Sequence, residues 1–121
     1  MLLLGLGSNL PSSFGDRFEN LNLATSYLEE YQIKIIKRSS FYETPSYPDI
    51  KNPKFINIVV EVSTYLSPED LASVLIRVEK KLERKRKKKN EPRTCDIDII
   101  DYNGKIVNFS YKGLIFKVPH E

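Results

Sequence analysis

The sequence predicts an α+β domain of ferredoxin-like βαββαβ order: an antiparallel sheet with two helices on one face and a short C-terminal hairpin. The first observation behind this prediction is that segments with strand and helix character alternate in that order. The second is that no repeat, low-complexity tract or Gly/Ser linker divides the chain. Its 121 residues and 14.0 kDa suit one hydrophobic core, so we expect a single domain over residues 1–121.

The first half of the chain supplies a strand, a helix and a second strand. The apolar run Met1–Gly5 predicts a buried strand. Apolar residues recur at helical spacing through Phe14–Tyr31, and Ser13 and Asp16 occupy capping-box positions, which predicts a helix over that range. Ile33–Tyr42 is rich in β-branched and aromatic residues and predicts the second strand.

The second half repeats the pattern. Phe55–Ser63 alternates Ile and Val with other residues, which predicts a strand with two different faces. Ser67, followed by proline and two acids, is typical of a helix start. Cys95–Tyr102 alternates in the same way, and Asn103-Gly104 predicts a hairpin turn to a short strand near Lys105–Val107. The expected buried stripe of the second helix is Leu71, Leu75, Val78 and Leu82.

Four side chains are predicted to share the sheet face that carries no helix. If the Ile and Val residues pack on the helices, Phe55, Asn57, Asp96 and Asp98 project from the opposite face. The two carboxylates, two residues apart on one strand, lie about 7 Å apart, a span that one or two Mg²⁺ ions can bridge. The alternative is a pair of solvated acids on an exposed face.

Positive charge is concentrated just before these acids. Residues 77–93 hold ten Lys or Arg against three Glu, a net charge of +7, while the rest of the chain carries −4. Such a segment suits a polyanionic partner such as nucleotide phosphates or nucleic acid, or it is a solvated loop. Because the run Arg84–Lys89 repels itself when empty, a bound triphosphate would order it, and we expect a lid there.

Other features restrict the compartment and the motif class. No apolar stretch approaches the roughly 20 residues that span a bilayer, and no secretory leader opens the chain, so we expect no membrane association. The single cysteine, Cys95, suits a reducing, cytoplasmic location. Gly7-Ser8-Asn9 lacks the spacing of known phosphate-binding loops, and Gly7 is interpreted as a turn residue after the first strand.

An ordered set of motifs resembles the 6-hydroxymethyl-7,8-dihydropterin pyrophosphokinase family of folate biosynthesis. The resemblance covers the chain from its first strand to its last residues. The motifs are Gly7-Ser8-Asn9, Ser40-Phe41-Tyr42-Glu43-Thr44-Pro45, Phe55-Ile56-Asn57, Glu79 with Arg84 and Arg86, Pro92-Arg93-Thr94-Cys95-Asp96-Ile97-Asp98, and Val118-Pro119-His120.

The resemblance implies transfer of pyrophosphate from ATP, the co-substrate, to 6-hydroxymethyl-7,8-dihydropterin, with release of AMP and the use of two Mg²⁺ ions. It implies that Asp96 and Asp98 hold the metals and that Arg84 and Arg86 lie on a mobile catalytic loop. The implied pterin-binding residues are Thr44, Pro45, Phe55 and Asn57. The implied nucleotide-binding residues are Glu79, Arg86, Arg93, Ile99 and His120.

The sequence departs from the family pattern at three places. Asn90-Glu91 replaces the usual Trp-Gly before Pro-Arg-Thr, so an aromatic contact of the loop with the ligands is missing. Glu83 stands where the family has Gly, from which we expect the second helix to continue into the loop. The family also continues beyond Val-Pro-His with a further arginine-bearing segment, so we expect this sequence to lack that segment.

Two alternatives to an active enzyme stay open. A truncated or inactive relative would bind pterin and nucleotide without turnover. A basic ferredoxin-like module could bind RNA, but Phe55 is the only ring on its strand segment, and Asp96 and Asp98 would repel a phosphate backbone. We therefore expect small-molecule substrates, no specific nucleic acid, and a monomer or weak homo-oligomer.

Overall fold

The computed structural model describes residues 1–85 and 91–118, and it confirms the predicted α+β fold. Four strands form the sheet in the order β2-β4-β1-β5, every neighbouring pair is antiparallel, and β3 extends the sheet beside β4. A separate hairpin consists of β6 and β7. In chain order the elements are β1 (Leu2–Ser8), α1 (Arg17–Glu30), β2 (Lys34–Arg38), β3 (Tyr42–Thr44), β4 (Phe55–Ser63), α2 (Pro68–Lys81), β5 (Asp96–Tyr102), β6 (Val107–Tyr111) and β7 (Leu114–Val118).

The core lies between the sheet and the two helices. Helix α1 packs on β1, β2 and β4, while α2 packs on β5 and on α1. Alternate residues of each central strand are buried against them, as the period-two pattern predicts. The other sheet face is therefore left free of helices. The buried strand residues include Leu2, Leu4, Leu6, Ile56, Ile58, Val60, Val62, Ile97 and Ile99.

Helix α1 starts three residues later than predicted. The Asp16 carboxylate accepts the Glu19 N–H at 2.9 Å and the Glu19 side chain accepts the Asp16 N–H at 3.1 Å, so Asp16 caps a helix that begins at Arg17. Phe14 and Phe18 share the helical spacing of the apolar residues, but they are 49% and 40% exposed and do not belong to the core. The buried face instead consists of Asn20, Leu21, Ala24, Thr25 and Leu28.

The predicted strand Ile33–Tyr42 is two strands in the structure. Both β2 and β3 pair with β4, and the ladder is irregular between Ile35 and Lys37. The Ser39 N–H donates to the Val59 carbonyl at 2.8 Å, and the Ser39 hydroxyl accepts the Val59 N–H at 2.9 Å. Serine side chains that bond to backbone interrupt a regular ladder, which accounts for the break before β3.

Helix α2 starts as predicted but does not continue into the following loop. The Ser67 hydroxyl accepts the Asp70 N–H at 3.1 Å, and Pro68 occupies the first turn. The helix ends at Lys81, and Glu83 has a left-handed backbone with φ of 69°. A residue in this conformation ends a helix, so the expected continuation was wrong.

Among the described residues, no helix has the length and apolar character that crossing a membrane requires.

Glu83 is fastened to the β1–α1 loop by Ser13. The Ser13 N–H donates to Glu83 Oε1 at 2.8 Å, and the Ser13 hydroxyl donates to Glu83 Oε2. Both hydrogen bonds lower the pKa of Glu83 below its ordinary value of 4.5, and the bond from the Ser13 hydroxyl has the larger effect. Because the pKa of Glu83 is lower in the folded than in the unfolded protein, the charged contact stabilises the fold at pH values above the unfolded pKa. This stabilisation is lost as the pH falls through the folded pKa.

We therefore expect Glu83→Gln to unfold at a lower temperature than the wild type at neutral pH, and the difference to be smaller at an acidic pH below the ordinary Glu83 pKa of 4.5. Thermal unfolding at both pH values measures this. Glu30→Gln, which changes an exposed carboxylate at the end of α1, is the control. A wild-type advantage that is the same at both pH values would contradict the role of the Glu83 charge.

The C-terminal hairpin lies further along the chain than predicted. Asn103 and Gly104 do form a turn with positive φ angles of 55° and 75°, but an isolated bridge between Tyr102 and Lys105 follows it. The long pairing joins β6 to β7 around a second turn at Lys112 and Gly113. The predicted strand near Lys105–Val107 thus overlaps the observed β6 at one residue. This shift places β7 beside β5.

Candidate active site

The centre of β1 forms the floor of the site because it carries two glycines. Gly7 pairs with Asn57 of β4 on one side and with Asp96 of β5 on the other, and Gly5 pairs with Asp98. Because the two glycines have no side chains, the neighbouring strands β4 and β5 enclose a cavity of about 290 Å³ above them. The interpretation of Gly7 as a turn residue was wrong, since β1 continues to Ser8. The cavity is lined by Gly5, Leu6, Gly7, Tyr42, Phe55, Asn57, Asp96, Asp98 and Ile100.

The structure brings together the ring, the amide and the two carboxylates predicted to share the open face. The Asn57 amide is held in one orientation, since its Nδ2 donates to the Tyr42 carbonyl at 3.2 Å and to Thr44 Oγ1 at 2.9 Å. Thr44 thus acts on Asn57, while Pro45 is exposed and is not among the described residues lining this cavity. Sequence reasoning missed Tyr42, whose position depends on the short strand β3.

A second cavity of about 270 Å³ lies on the other side of the carboxylate pair. Asp96 and Asp98 line both cavities, so they form the boundary between them. The predicted residues Arg84, Arg93 and Ile99 line this second cavity. Sequence reasoning missed its outer wall because that wall depends on where the hairpin docks. The wall consists of Leu114, Ile115, Phe116, Lys117 and Val118 of β7.

Two guanidinium groups meet at Asp96. Arg84 Nη1 lies 2.9 Å from Asp96 Oδ1, and Arg93 Nη1 lies 3.7 Å from Asp96 Oδ2. The Arg93 guanidinium also lies over the Phe55 ring, 5.8 Å from its centre, so it reaches from the second cavity toward the first. Positive charge therefore faces the carboxylates at the boundary, as the charge distribution of the sequence indicated.

Glu79 lies beneath the site rather than in a cavity wall of it. Its side chain is 3% exposed, and its Oε2 lies 2.7 Å from Arg84 Nη1 and accepts the Ile97 N–H at 2.8 Å. The carboxylate thereby fastens Arg84 to the first residues of β5. Glu79 therefore contacts residues that form the second cavity but does not itself line that cavity.

The carboxylate pair fits a hard divalent cation. Mg²⁺ prefers oxygen ligands, keeps several waters, and commonly binds one or two carboxylates together with substrate phosphates. Asp96 and Asp98 provide such oxygens at the wall of both cavities. In residues 1–85 and 91–118, no group of three or more His, Cys, Asp or Glu side chains is arranged to hold a metal. The pair therefore suits a metal that completes its shell with water and phosphate.

The Cys95 thiol next to this pair is buried and has low reactivity. Cys95 is fully buried, and that burial raises the pKa of its thiol well above the ordinary value, with Glu79 and Asp96 raising it further. The thiol stays protonated at neutral pH and is a poor nucleophile.

Two predicted site residues, Arg86 and His120, lie outside the described residues, as does the lysine run 87–89 of the predicted lid.

Together, the fold and the site define a ferredoxin-like α+β protein whose open sheet face carries two cavities divided by a carboxylate pair. Residues 3–121 match the family described as 7,8-dihydro-6-hydroxymethylpterin-pyrophosphokinase. The chain belongs to this family, which confirms the resemblance seen in the motifs.

Individual relatives agree with this assignment. The chain is 36% identical over 117 residues to a 2-amino-4-hydroxy-6-hydroxymethyldihydropteridine pyrophosphokinase from Aquifex aeolicus, covering 97% of this chain and 68% of that protein. It is 35% identical to the protein of the same name from Bacillus subtilis, with 97% and 66% covered. It is 41% identical to the bifunctional protein FolKE of Lactococcus lactis, with 98% and 32% covered. The chain thus spans about two thirds of the two pyrophosphokinases.

Proposed function

We propose that this chain transfers the pyrophosphoryl group of ATP to the hydroxymethyl group of 6-hydroxymethyl-7,8-dihydropterin, giving the pterin diphosphate and AMP in folate biosynthesis. The observation that carries the proposal is that Asp96 and Asp98 form the boundary between two cavities of different character. One cavity offers an aromatic ring and an oriented amide, and the other offers two guanidinium groups. Two substrates bound on either side would meet at the carboxylates.

The first cavity suits the pterin. Phe55 can stack on a flat heterocycle, and the Asn57 Oδ1 atom offers an acceptor to the N–H groups at its amide-like edge. Since Thr44 and the Tyr42 carbonyl already hold the Asn57 Nδ2 group, the orientation of the amide is set before the ligand arrives. Pro45 follows β3 and would contact the ligand only from outside the present cavity wall.

The second cavity suits the triphosphate. Arg84 and Arg93 can each give two donors to phosphate oxygens, and in the structure both point at Asp96. A phosphate chain entering here would compete with Asp96 for these guanidinium groups. Ile99 and Glu79 belong to this side, the first in the cavity wall and the second through Arg84. By the family pattern, Arg86 and His120 complete the nucleotide contacts.

Asp96 and Asp98 would hold the two Mg²⁺ ions. Bound there, the metal supplies neutralisation of phosphate charge and polarisation of the β-phosphorus. The protein groups position the reactants. Asn57 and Phe55 hold the pterin ring and so place its hydroxyl, while Arg84 and Arg93 hold the phosphates for in-line attack. No side chain forms a covalent intermediate, so orientation and electrostatics provide the rate enhancement.

The deciding experiment is AMP release from ATP and Mg²⁺ in the presence of 6-hydroxymethyl-7,8-dihydropterin. We expect AMP to form only when the pterin is present, and Asp96→Ala to abolish its formation. Circular dichroism of the variant controls for folding. Folded wild-type protein that binds the pterin but releases no AMP would establish the alternative of an inactive relative. Binding of neither substrate would refute the proposal.

The pterin cavity gives a further prediction through Gly7. A Cβ added there would lie 3.0 Å from Asn57 Oδ1 and 3.3 Å from Phe55 Cδ1, two groups that the fold holds in place. We expect Gly7→Ala to raise the KM for the pterin by about 10- to 100-fold, the cost of a moderate steric overlap. Steady-state kinetics with saturating ATP measures the effect.

Gly5→Ala is the matched control. Its added Cβ would lie 2.9 Å from Ile100 Cδ1, the far end of a flexible side chain that can turn away. We expect a smaller rise of the pterin KM for Gly5→Ala than for Gly7→Ala. Equal effects of the two substitutions would contradict the assignment of Asn57 and Phe55 as the groups that hold the pterin.

A further inference from the structure

Asn9, the first residue after β1, connects two distant parts of the chain through one buried side chain. It is 1% exposed. Its Nδ2 donates to the Pro53 carbonyl at 3.0 Å, and its Oδ1 accepts the Arg93 N–H at 2.8 Å. Its own backbone N–H donates to the Arg93 carbonyl at 3.1 Å. Both ends of the amide are thus occupied, each by a different segment.

These two segments carry opposite sides of the candidate active site. Pro53 lies two residues before Phe55, where the chain enters β4 on the side of the first cavity. Arg93 lines the second cavity and contacts Asp96. The two sides meet where the Arg93 guanidinium lies over the Phe55 ring. The distance between ring and guanidinium therefore depends on two backbone segments that Asn9 joins.

We propose that Asn9 is a positioning residue that sets the pterin-side ring and the phosphate-side arginine at their working separation. The inference rests on the proposed function, because it concerns the placement of the two substrates. Asn9 does not line either cavity among the described residues, so it acts through Pro53 and Arg93. Transfer between two bound substrates requires the reacting atoms to lie within about 3.5 Å, which makes this separation important.

The chemistry of the amide allows the two connections to be separated. Asn9→Asp keeps an oxygen that can accept the Arg93 N–H, but it replaces the donor to Pro53 with a second acceptor that repels the carbonyl. Asn9→Ala removes both side-chain bonds. Asn9→Asp therefore releases the Pro53 connection alone. Asn9→Ala also weakens the connection to Arg93, where only the backbone bond from residue 9 is kept.

We expect Asn9→Asp to raise the KM for the pterin by about tenfold, the effect of one buried polar group left unpaired, with the KM for ATP within about twofold of the wild type. Asn9→Ala is expected to raise both KM values, and it serves as the second variant if Asn9→Asp does not fold. A purely structural role would lower the unfolding temperature and the active fraction without moving either KM, and that result would overturn the proposal.

Asn20→Ala is the matched control. Asn20 is fully buried and its Nδ2 donates to the Leu10 and Thr94 carbonyls at 3.0 Å and 3.2 Å, but it does not reach Pro53. We expect Asn20→Ala to lower the unfolding temperature about as much as Asn9→Ala while leaving the pterin KM unchanged. A rise of the pterin KM in this variant equal to that in Asn9→Asp would refute a specific role of Asn9.

Amide hydrogen exchange tests the connection without using the activity. In Asn9→Asp we expect faster exchange at Lys54 and Phe55, and unchanged exchange at Arg93. If the wild-type protein releases no AMP, the proposed function fails while this readout still decides the role of Asn9. Unchanged exchange at Lys54 and Phe55 would overturn the proposal whatever the activity shows.

Discussion

Asp98→Asn is expected to lower kcat for AMP formation by about a thousandfold while the protein stays folded. The substitution keeps the size of the side chain and removes the charge that would hold Mg²⁺ between the two cavities. Loss of a group that stabilises charge in the transition state has a cost of this order. The measurement is kcat at saturating ATP, pterin and Mg²⁺, with circular dichroism as the folding check.

Asp101→Asn is the matched control on the same strand. Asp101 lines neither cavity, and its Oδ1 accepts the Gly104 N–H at 2.9 Å in the turn after β5, a bond that an asparagine oxygen can also accept. We expect its kcat to match the wild type. Near-full activity of Asp98→Asn, or an equal loss in Asp101→Asn, would remove the metal assignment.

Arg84→Met is expected to lower the free energy of unfolding by about 3 kcal/mol, because it removes one partner of a buried ion pair. The Arg84 and Glu79 side chains are 8% and 3% exposed, and their charged atoms lie 2.7 Å apart. Urea denaturation measures the loss. Lys85→Met, at the exposed next position, is the control and is expected to change stability by less than about 0.5 kcal/mol.

The double variant Glu79→Gln/Arg84→Met tests the physical reason. The amide that replaces the Glu79 carboxylate can still accept the Ile97 N–H but needs no cation, so we expect the double variant to be clearly more stable than Arg84→Met alone. A double variant as unstable as the single one would show that Arg84 stabilises the fold by packing rather than by charge. The same result would remove Glu79 as the residue that holds Arg84 at the site.

The chain pattern was sufficient to predict most of the fold and the central part of the site. Alternation in β4 and β5 depends only on the pleat of a strand, which sends successive side chains to opposite faces. Placing Phe55, Asn57, Asp96 and Asp98 on one face therefore required no knowledge of the loops. Capping at Ser67 was predictable because a serine before Pro-Glu-Asp satisfies helix N–H groups locally.

The errors arose where local patterns compete with partners distant in the chain. Phe14 has the spacing of a helix stripe, but Asp16 and Glu19 cap the helix after it. Glu83 sits on a continuous helical pattern, but a left-handed backbone, fastened to Ser13 across the molecule, ends the helix there. Such contacts join residues 70 positions apart, and no local periodicity reports them.

By itself, the sequence determined the fold class, the faces of the central strands and the presence of a carboxylate pair behind a cationic segment, because these follow from local spacing and charge. Only the tertiary structure decided that Gly7 forms a floor between Asn57 and Asp96, and that β7 closes a second cavity. It likewise decided that Asn9 joins Pro53 to Arg93. Strand register, hairpin docking and buried hydrogen bonds depend on residues brought together by packing, so their partners cannot be identified from one segment at a time.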